Sequence, residues 1–178
     1  MFATTRRSIL ALALAAATPA LNAAEWRVGT GVYLLSDDGI DLHLSVRPEE
    51  SRWQFGVRAL RYTDVWQTGA GTPVGKTTTM MVGPQLNYLF SPGSARSWYV
   101  GVSVMRWTQD ETSARTGTRG RTETTAPFFG GGYSGRMGKL GYYNLGAFFS
   151  PAKLSTQTAD TAEESTGADM QLQLGFAF

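Results

Sequence analysis

His43, the only histidine of the chain, lies two residues from Asp41 and two residues from Ser45. Histidine, serine and aspartate are the residue types of a hydrolytic site in which the imidazole accepts the hydroxyl proton. A β-strand over Ile40–Arg47 would place all three side chains on one face. Residues i and i+2 of one strand are ~6.5–7 Å apart, too far for a direct hydrogen bond. His43 is a candidate general base, but the spacing alone does not assemble a catalytic site.

The same polar face also fits a structural role. Polar side chains that point into a closed interior can satisfy one another in a hydrogen-bonded network. On this interpretation His43 braces the interior and catalyses nothing. The predicted members of the network are Arg27, Asp41, His43, Arg58, Gln85, Asn87, Asn144, Gln171 and Gln173.

Three arginines, Arg115, Arg119 and Arg121, lie in a segment rich in threonine and glycine. Guanidinium groups bind phosphate with two parallel hydrogen bonds, so the segment is a candidate contact for lipopolysaccharide phosphates or sugars. Asp110, Glu111 and Glu123 flank the arginines, and a solvated loop of mixed charge is the alternative.

Other motifs carry no chemistry. The segment 70–77 superficially matches a phosphate-binding loop, but a strand and not a helix follows it, so the match is accidental. The chain has no cysteine, which excludes disulfides and thiolate metal sites. The carboxylates near the C-terminus lack the spacing of a calcium-binding loop. No metal and no cofactor is expected.

The N-terminus predicts export. Arg6 and Arg7 precede an apolar run over residues 9–17, and small residues follow up to Ala24. We predict a signal peptide over residues 1–24 and one mature domain over residues 25–178; the paired arginines leave a twin-arginine route open. Without the signal, 14 basic residues face 14 acidic ones, so nothing in the charge indicates nucleic acid.

The mature part reads as eight β-strands. Apolar residues alternate with polar or small ones in every segment except the sixth, whose three consecutive glycines leave its faces unassigned. The predicted strands are 26–34, 40–47, 53–59, 80–90, 98–104, 127–136, 143–149 and 170–178. Long polar loops are predicted over 63–76, 108–124 and 150–167, and the other turns after the first are short.

This pattern favours a membrane barrel over a soluble one. In a soluble barrel the non-core face is charged, whereas here it consists mainly of Gly, Gln, Asn, Ser and Tyr, which suit a narrow filled lumen. Aromatic residues fall near strand ends, where interfacial girdles form. Short turns alternating with long loops are also typical of outer-membrane barrels, with both termini on the periplasmic side.

The C-terminal segment Leu172-Gln173-Leu174-Gly175-Phe176-Ala177-Phe178 resembles the last strand of bacterial outer-membrane barrels. Over its mature length the chain is similar to the small OmpA/OmpX-type class. The resemblance implies a closed, antiparallel, up-and-down transmembrane β-barrel in which Phe176 and Phe178 signal to the barrel-assembly machinery.

Four functions follow as hypotheses. The first is a non-enzymatic outer-membrane protein, expected to be monomeric, that contacts membrane lipid and lipopolysaccharide through its exterior and loops. The second is a lipid-A-modifying deacylase or acyltransferase that uses His43, by analogy with enzymes built on small barrels. The third is a small pore, although eight strands leave a lumen that side chains fill. The fourth is a soluble periplasmic barrel that binds a ligand.

Overall fold

A computed structural model of the chain describes residues 24–31, 39–68, 70–113, 117, 119–157 and 162–178. Apart from Ala24, the predicted signal peptide lies outside these ranges. Arg115 and most of the connection between the first two strands lie outside them as well. No helix among the described residues is long and apolar enough to cross a membrane.

Eight antiparallel strands form a closed barrel in which each strand pairs with its neighbours in sequence and the last pairs with the first. The up-and-down order predicted from the sequence is therefore confirmed. The strands are β1 (Ala24–Gly31), β2 (Ile40–Pro48), β3 (Trp53–Gln67), β4 (Pro73–Leu89), β5 (Arg96–Ser113), β6 (Arg119–Met137), β7 (Gly141–Gln157) and β8 (Ala162–Ala177).

Strict alternation of side chains places apolar residues outside and mostly polar ones inside. In β2, Leu42 and Leu44 are about half exposed, whereas Asp41, His43 and Ser45 are buried. A soluble barrel would reverse this arrangement, because its apolar face fills the core. The outward face of this barrel therefore suits an apolar surrounding.

The strands β3 to β8 are longer than predicted. They contain 15 to 19 residues each, and much of the sequence expected to form long loops continues the strands as paired hairpins. The hairpin β5–β6, for example, stays paired as far as Thr112 and Arg119. The loop prediction was wrong there because these threonine-rich segments lack the contrast between apolar and polar faces, although threonine favours strands.

The barrel has two different ends. One end carries the start of β1, the end of β8 and three short connections over residues 49–52, 90–95 and 138–140, and we call it the terminal end. At the opposite hairpin end the strands run on beyond the apolar surface. Pairing between β6 and β7 covers only Phe129–Met137 and Gly141–Phe149, so beyond Phe129 the described part of β6 pairs with β5 alone.

The structure assigns the faces of the sixth strand. Phe129 and Tyr133 point outward, opposite Val102 and Trp98 of β5, whereas Phe128 is buried inside. Pro84 of β4 interrupts the pairing with β5 while the register on either side is unchanged. Proline has no N–H to donate, so the ladder weakens there without a bulge.

Candidate functional site

A buried ion cluster lies in the lumen around Arg58 of β3. Its guanidinium donates to both carboxylate oxygens of Asp41 on β2, at 2.9 and 2.8 Å. A third nitrogen donates to Asp169 of β8, at 2.7 and 2.5 Å. Arg58 and Asp41 are fully buried and Asp169 nearly so, with 4 % of its surface exposed. We call Arg58, Asp41 and Asp169 the lumen cluster.

Amide side chains extend the lumen cluster across the barrel. Gln171 of β8 donates to Asp169 at 3.1 Å and to Gln85 of β4 at 3.4 Å. Since β4 and β8 are four strands apart in a ring of eight, the contact between Gln171 and Gln85 spans the lumen. Side chains therefore join opposite walls at this height.

Further amides line the lumen on both sides of that bridge. One chain of hydrogen bonds leads from Gln85 through Asn87 and Gln54 to Ser45. Asn144 of β7 donates to Gln173 at 3.1 Å, and a buried nitrogen of Gln173 has no hydrogen-bond partner. All nine residues predicted for the polar network point inward and are buried: Arg27, Asp41, His43, Arg58, Gln85, Asn87, Asn144, Gln171 and Gln173.

In the described part of the chain, no hydrogen bond joins His43 to Asp41 or Ser45, the two residues that could complete a hydrolytic site with it. Its Nδ1 lies 3.5 Å from the Tyr142 hydroxyl of β7, which is long for a hydrogen bond. Both oxygens of Asp41 bind Arg58, and the Ser45 hydroxyl accepts a hydrogen bond from Gln54 at 2.8 Å. The geometry thus contains no relay from carboxylate to imidazole to hydroxyl.

A second part of the interior is apolar, which the sequence patterns did not indicate. Met81, Met105, Phe128 and Phe148 are at most 2 % exposed and pack together with other inward side chains of β3 to β7. An apolar residue at an inward position could have indicated this region, as Phe128 does between the outward residues Pro127 and Phe129. Both polar and apolar side chains therefore point into the lumen.

Glu25 links three arginines at the terminal end, beyond the apolar surface. It accepts hydrogen bonds from Arg27 at 2.5 Å, from Arg47 at 2.9 Å, and from Arg136. Burial by itself raises the pKa of Glu25, but the three guanidinium groups outweigh burial and lower that pKa to about 2. The carboxylate is thus charged at any physiological pH and joins β1, β2 and β6.

The outer surface near the hairpin end carries cations. Register places Lys76 of β4 opposite Thr112 of β5, and Thr112 opposite Arg119 of β6, so the two cations lie on one face. Arg121 lies two residues further along β6, and its ion pairs with the described carboxylates of Asp110 and Glu123 are long, at 3.8 and 3.9 Å. We call Lys76, Arg119 and Arg121 the cationic row. Lys76 was missed because strand pairing, and not sequence spacing, brings it there.

Arg106, below the cationic row, makes an exposed ion pair with Glu123 at 2.6 Å.

The described residues contain no group of three or more histidine, aspartate or glutamate side chains placed to hold a metal ion.

The C-terminus closes the barrel. The backbone N–H groups of Trp26 and Phe178 each donate to the carbonyl of the other, at 2.8 and 2.9 Å. The side chains of Phe176 and Phe178 point outward and are about two thirds exposed. The predicted assembly signal therefore lies on the accessible side of the closing strand.

Solved structures of β-barrel proteins align with most of the chain. The N-terminal β-barrel domain of Pseudomonas aeruginosa OprF aligns with a TM-score of 0.57 at 15 % identity, over 87 % of this chain and 96 % of that one. Neisserial surface protein A aligns with a TM-score of 0.56 at 13 % identity, over 87 % and 94 %. Ail of Yersinia pestis, in complex with the heparin analogue sucrose octasulfate, aligns with a TM-score of 0.54 at 10 % identity, over 87 % and 94 %.

No protein-family model matches the chain, and no characterised protein matches its sequence significantly. At these identities the structural likeness shows the fold. The chain has the closed eight-stranded architecture of small outer-membrane barrels, as its sequence predicted.

Proposed function

We propose that the protein is a non-enzymatic outer-membrane barrel that acts through its external surface. The side-chain contacts across the lumen carry this proposal. The lumen cluster and the contact between Gln171 and Gln85 cross the interior, which supports a lumen that is closed to solutes. The exterior of such a barrel is then the surface through which it interacts with other molecules. The terminal end faces the periplasm and the hairpin end faces outward, as the positions of the short turns and termini support.

The outward apolar band supports the membrane location. On the outward face of β5, Trp98 and the charged Arg106 lie on either side of the apolar residues Val100, Val102 and Val104. These two boundaries are eight residues apart, about 26 Å along the strand and roughly 20 Å along the barrel axis at the usual tilt. An outer-membrane barrel presents an apolar band of roughly 25 Å. Aromatic contacts border the band at its terminal end, with the rings of Trp53 and Tyr88 5.0 Å apart and those of Trp98 and Tyr133 4.9 Å apart.

Cell fractionation combined with a gel-mobility assay tests this location. We expect the protein in the outer-membrane fraction, with a mobility in detergent gels that changes when the sample is boiled. A protein found in the periplasm without such a change would contradict the proposal and favour a soluble barrel.

The occluded lumen has its own test in planar lipid bilayers. We expect no steady conductance, because side chains from opposite walls meet in the lumen. Stable channels opened by the purified wild-type protein would show that it is a pore.

The cationic row is the proposed contact with lipopolysaccharide. Lys76 and Arg119 are two strands apart, roughly 10 Å, and lie about six residues beyond the band. They therefore reach the height of the sugar and phosphate groups above the membrane. Sucrose octasulfate, bound in the Ail structure, is a polyanion, which supports the choice of an anionic glycan as the partner.

Binding of purified lipopolysaccharide to the immobilised barrel tests this contact. We expect the variant Lys76→Glu/Arg119→Glu to bind about tenfold more weakly. The matched control Arg96→Glu/Lys139→Glu changes the net charge equally at the terminal end and should bind as the wild type does. Equal binding by both variants would contradict a role for the cationic row.

Lipid A analysis of cells with His43→Ala tests the enzymatic alternative. We expect an unchanged lipid A profile, because His43 lacks its catalytic partners. A modification that depends on both the protein and His43 would overturn the non-enzymatic proposal.

A further inference from the structure

An apolar groove of about 440 Å³ runs along the outer wall, across β3 to β6. The groove is lined by aliphatic residues and glycines and by three aromatic residues: Leu86, Val100, Val102, Gly101, Gly130, Trp53, Tyr88 and Phe129. The strand register explains why the surface is recessed here. On the outward face, Val100 lies opposite Gly131, which has no side chain. The volume falls within the roughly 300–1,000 Å³ of small-molecule sites.

One end of this wall groove carries a positive charge. Arg52, in the turn between β2 and β3, is exposed and donates to the Tyr88 hydroxyl at 3.0 Å. Its guanidinium also lies 5.9 Å from the centre of the Tyr88 ring. The contact with Tyr88 holds the cation at the mouth of the groove, on the terminal end of the apolar band. An apolar groove with one cation at its polar end matches an acyl chain attached to a phosphate.

We propose that the wall groove binds one phospholipid of the periplasmic leaflet, with an acyl chain on Val100 and Val102 and the phosphate on Arg52. The inference rests on the proposed membrane location. Charge-assisted hydrogen bonds from a guanidinium to phosphate oxygens are short and strong, so Arg52 selects a phosphate-bearing headgroup. The position of Arg52 at the terminal end excludes lipopolysaccharide, which occupies the opposite leaflet.

Native mass spectrometry of the detergent-solubilised barrel with added phosphatidylglycerol tests the site. Val102→Phe fills the groove with apolar atoms, and Arg52→Gln removes the cation. Val28→Phe is the matched control, because Val28 also points outward, with 45 % of its surface exposed against 43 % for Val102, and lies on β1 outside the groove. The boiling-dependent gel shift first establishes that each variant is folded.

We expect the wild type and Val28→Phe to retain one phosphatidylglycerol, and the two groove variants to retain it with occupancy reduced about tenfold. Equal retention by all four folded proteins would overturn the proposal, as would a folded wild type that retains no lipid. A second copy of the chain, bound by the wild type and lost in Val102→Phe, would assign the groove to dimerisation instead. A wild type without a gel shift would refute the membrane location itself, and with it the groove.

Discussion

Arg58 carries the charge that two buried carboxylates require. Truncating it leaves Asp41 and Asp169 without their cation in a site with almost no access to water. Breaking a buried ion pair on one side typically costs about 3–5 kcal/mol, because an uncompensated charge remains. We expect Arg58→Ala to lower the free energy of unfolding by this amount, measured by denaturant titration of the barrel in lipid vesicles.

The exposed pair of Arg106 and Glu123 provides the control for Arg58. Both side chains are more than 40 % exposed, so Arg106→Ala should cost less than about 1 kcal/mol. Equal unfolding midpoints for Arg58→Ala and Arg106→Ala would show that the lumen cluster contributes no more to the free energy of unfolding than an exposed ion pair does.

Glu25 makes stability depend on acid. Its pKa of about 2 in the folded barrel lies below the ordinary value of 4.5, so folding favours the charged form. The stabilisation is complete above pH 4.5 and disappears as the pH falls towards 2; it amounts to at most about 3 kcal/mol. We expect the unfolding midpoint of the wild type to drop over this range more steeply than that of Glu25→Gln. Parallel curves would mean that the three arginines do not hold the carboxylate.

The alternation of residues along each strand allowed the inward positions of the polar residues to be predicted, but not their partners. Asp41 and Asp169 approach Arg58 from two other strands, and Asp169 is 111 positions from Arg58 along the chain. Only closure of the barrel determines how close these side chains lie in space. For the same reason the contact of His43 with Tyr142 was not predictable. Side-chain direction follows from the two-residue period of a strand, whereas contacts across the lumen follow from the number of strands and their register.

Among the strands, β1 and β8 meet at the seam that closes the barrel, and in the described part of the chain their pairing includes the positions from Arg27 with Ala177 to Gly31 with Gln173. A Cβ atom on Gly175 would overlap the Val28 carbonyl oxygen and the Cα of Gly29. The two strands approach closely because neither of these glycines carries a side chain.

Gly175→Val should therefore open the seam. We expect a clearly smaller fraction of folded, heat-modifiable protein after refolding into detergent than for the wild type. Gly93→Val is the control, since a Cβ atom there meets nothing within 4 Å. Normal yields for Gly175→Val would show that the seam tolerates a wider strand separation.

The strand extensions mark where prediction from the sequence ends. Inside the apolar band, alternation such as Trp98, Val100 and Val102 against Tyr99 and Ser103 defines both faces of a strand. Beyond the band the outward face contacts water, and polar residues such as Thr77 and Glu111 are buried on the inward face. Threonine and charged residues therefore occupy both faces, and the contrast in hydropathy fades. Hairpin pairing such as that of Thr112 with Arg119 continues there through backbone hydrogen bonds, which the hydropathy of the sequence does not predict.

For the whole barrel, we expect the outward apolar face to lie in lipid. The absence of cysteine from the sequence allows single spin labels to be placed at chosen sites. Labels at Val102→Cys and Leu174→Cys probe the apolar band on β5 and β8, and a label at Lys76→Cys probes the exposed hairpin end.

The decisive measurement is the collision rate of each label with oxygen, which concentrates in hydrocarbon, and with a nickel chelate, which stays in water. In outer-membrane vesicles we expect the labels at 102 and 174 to collide often with oxygen and rarely with nickel, and the label at 76 to show the reverse. Nickel collision rates at 102 and 174 as high as that at 76 would place the apolar face in water and contradict the membrane barrel.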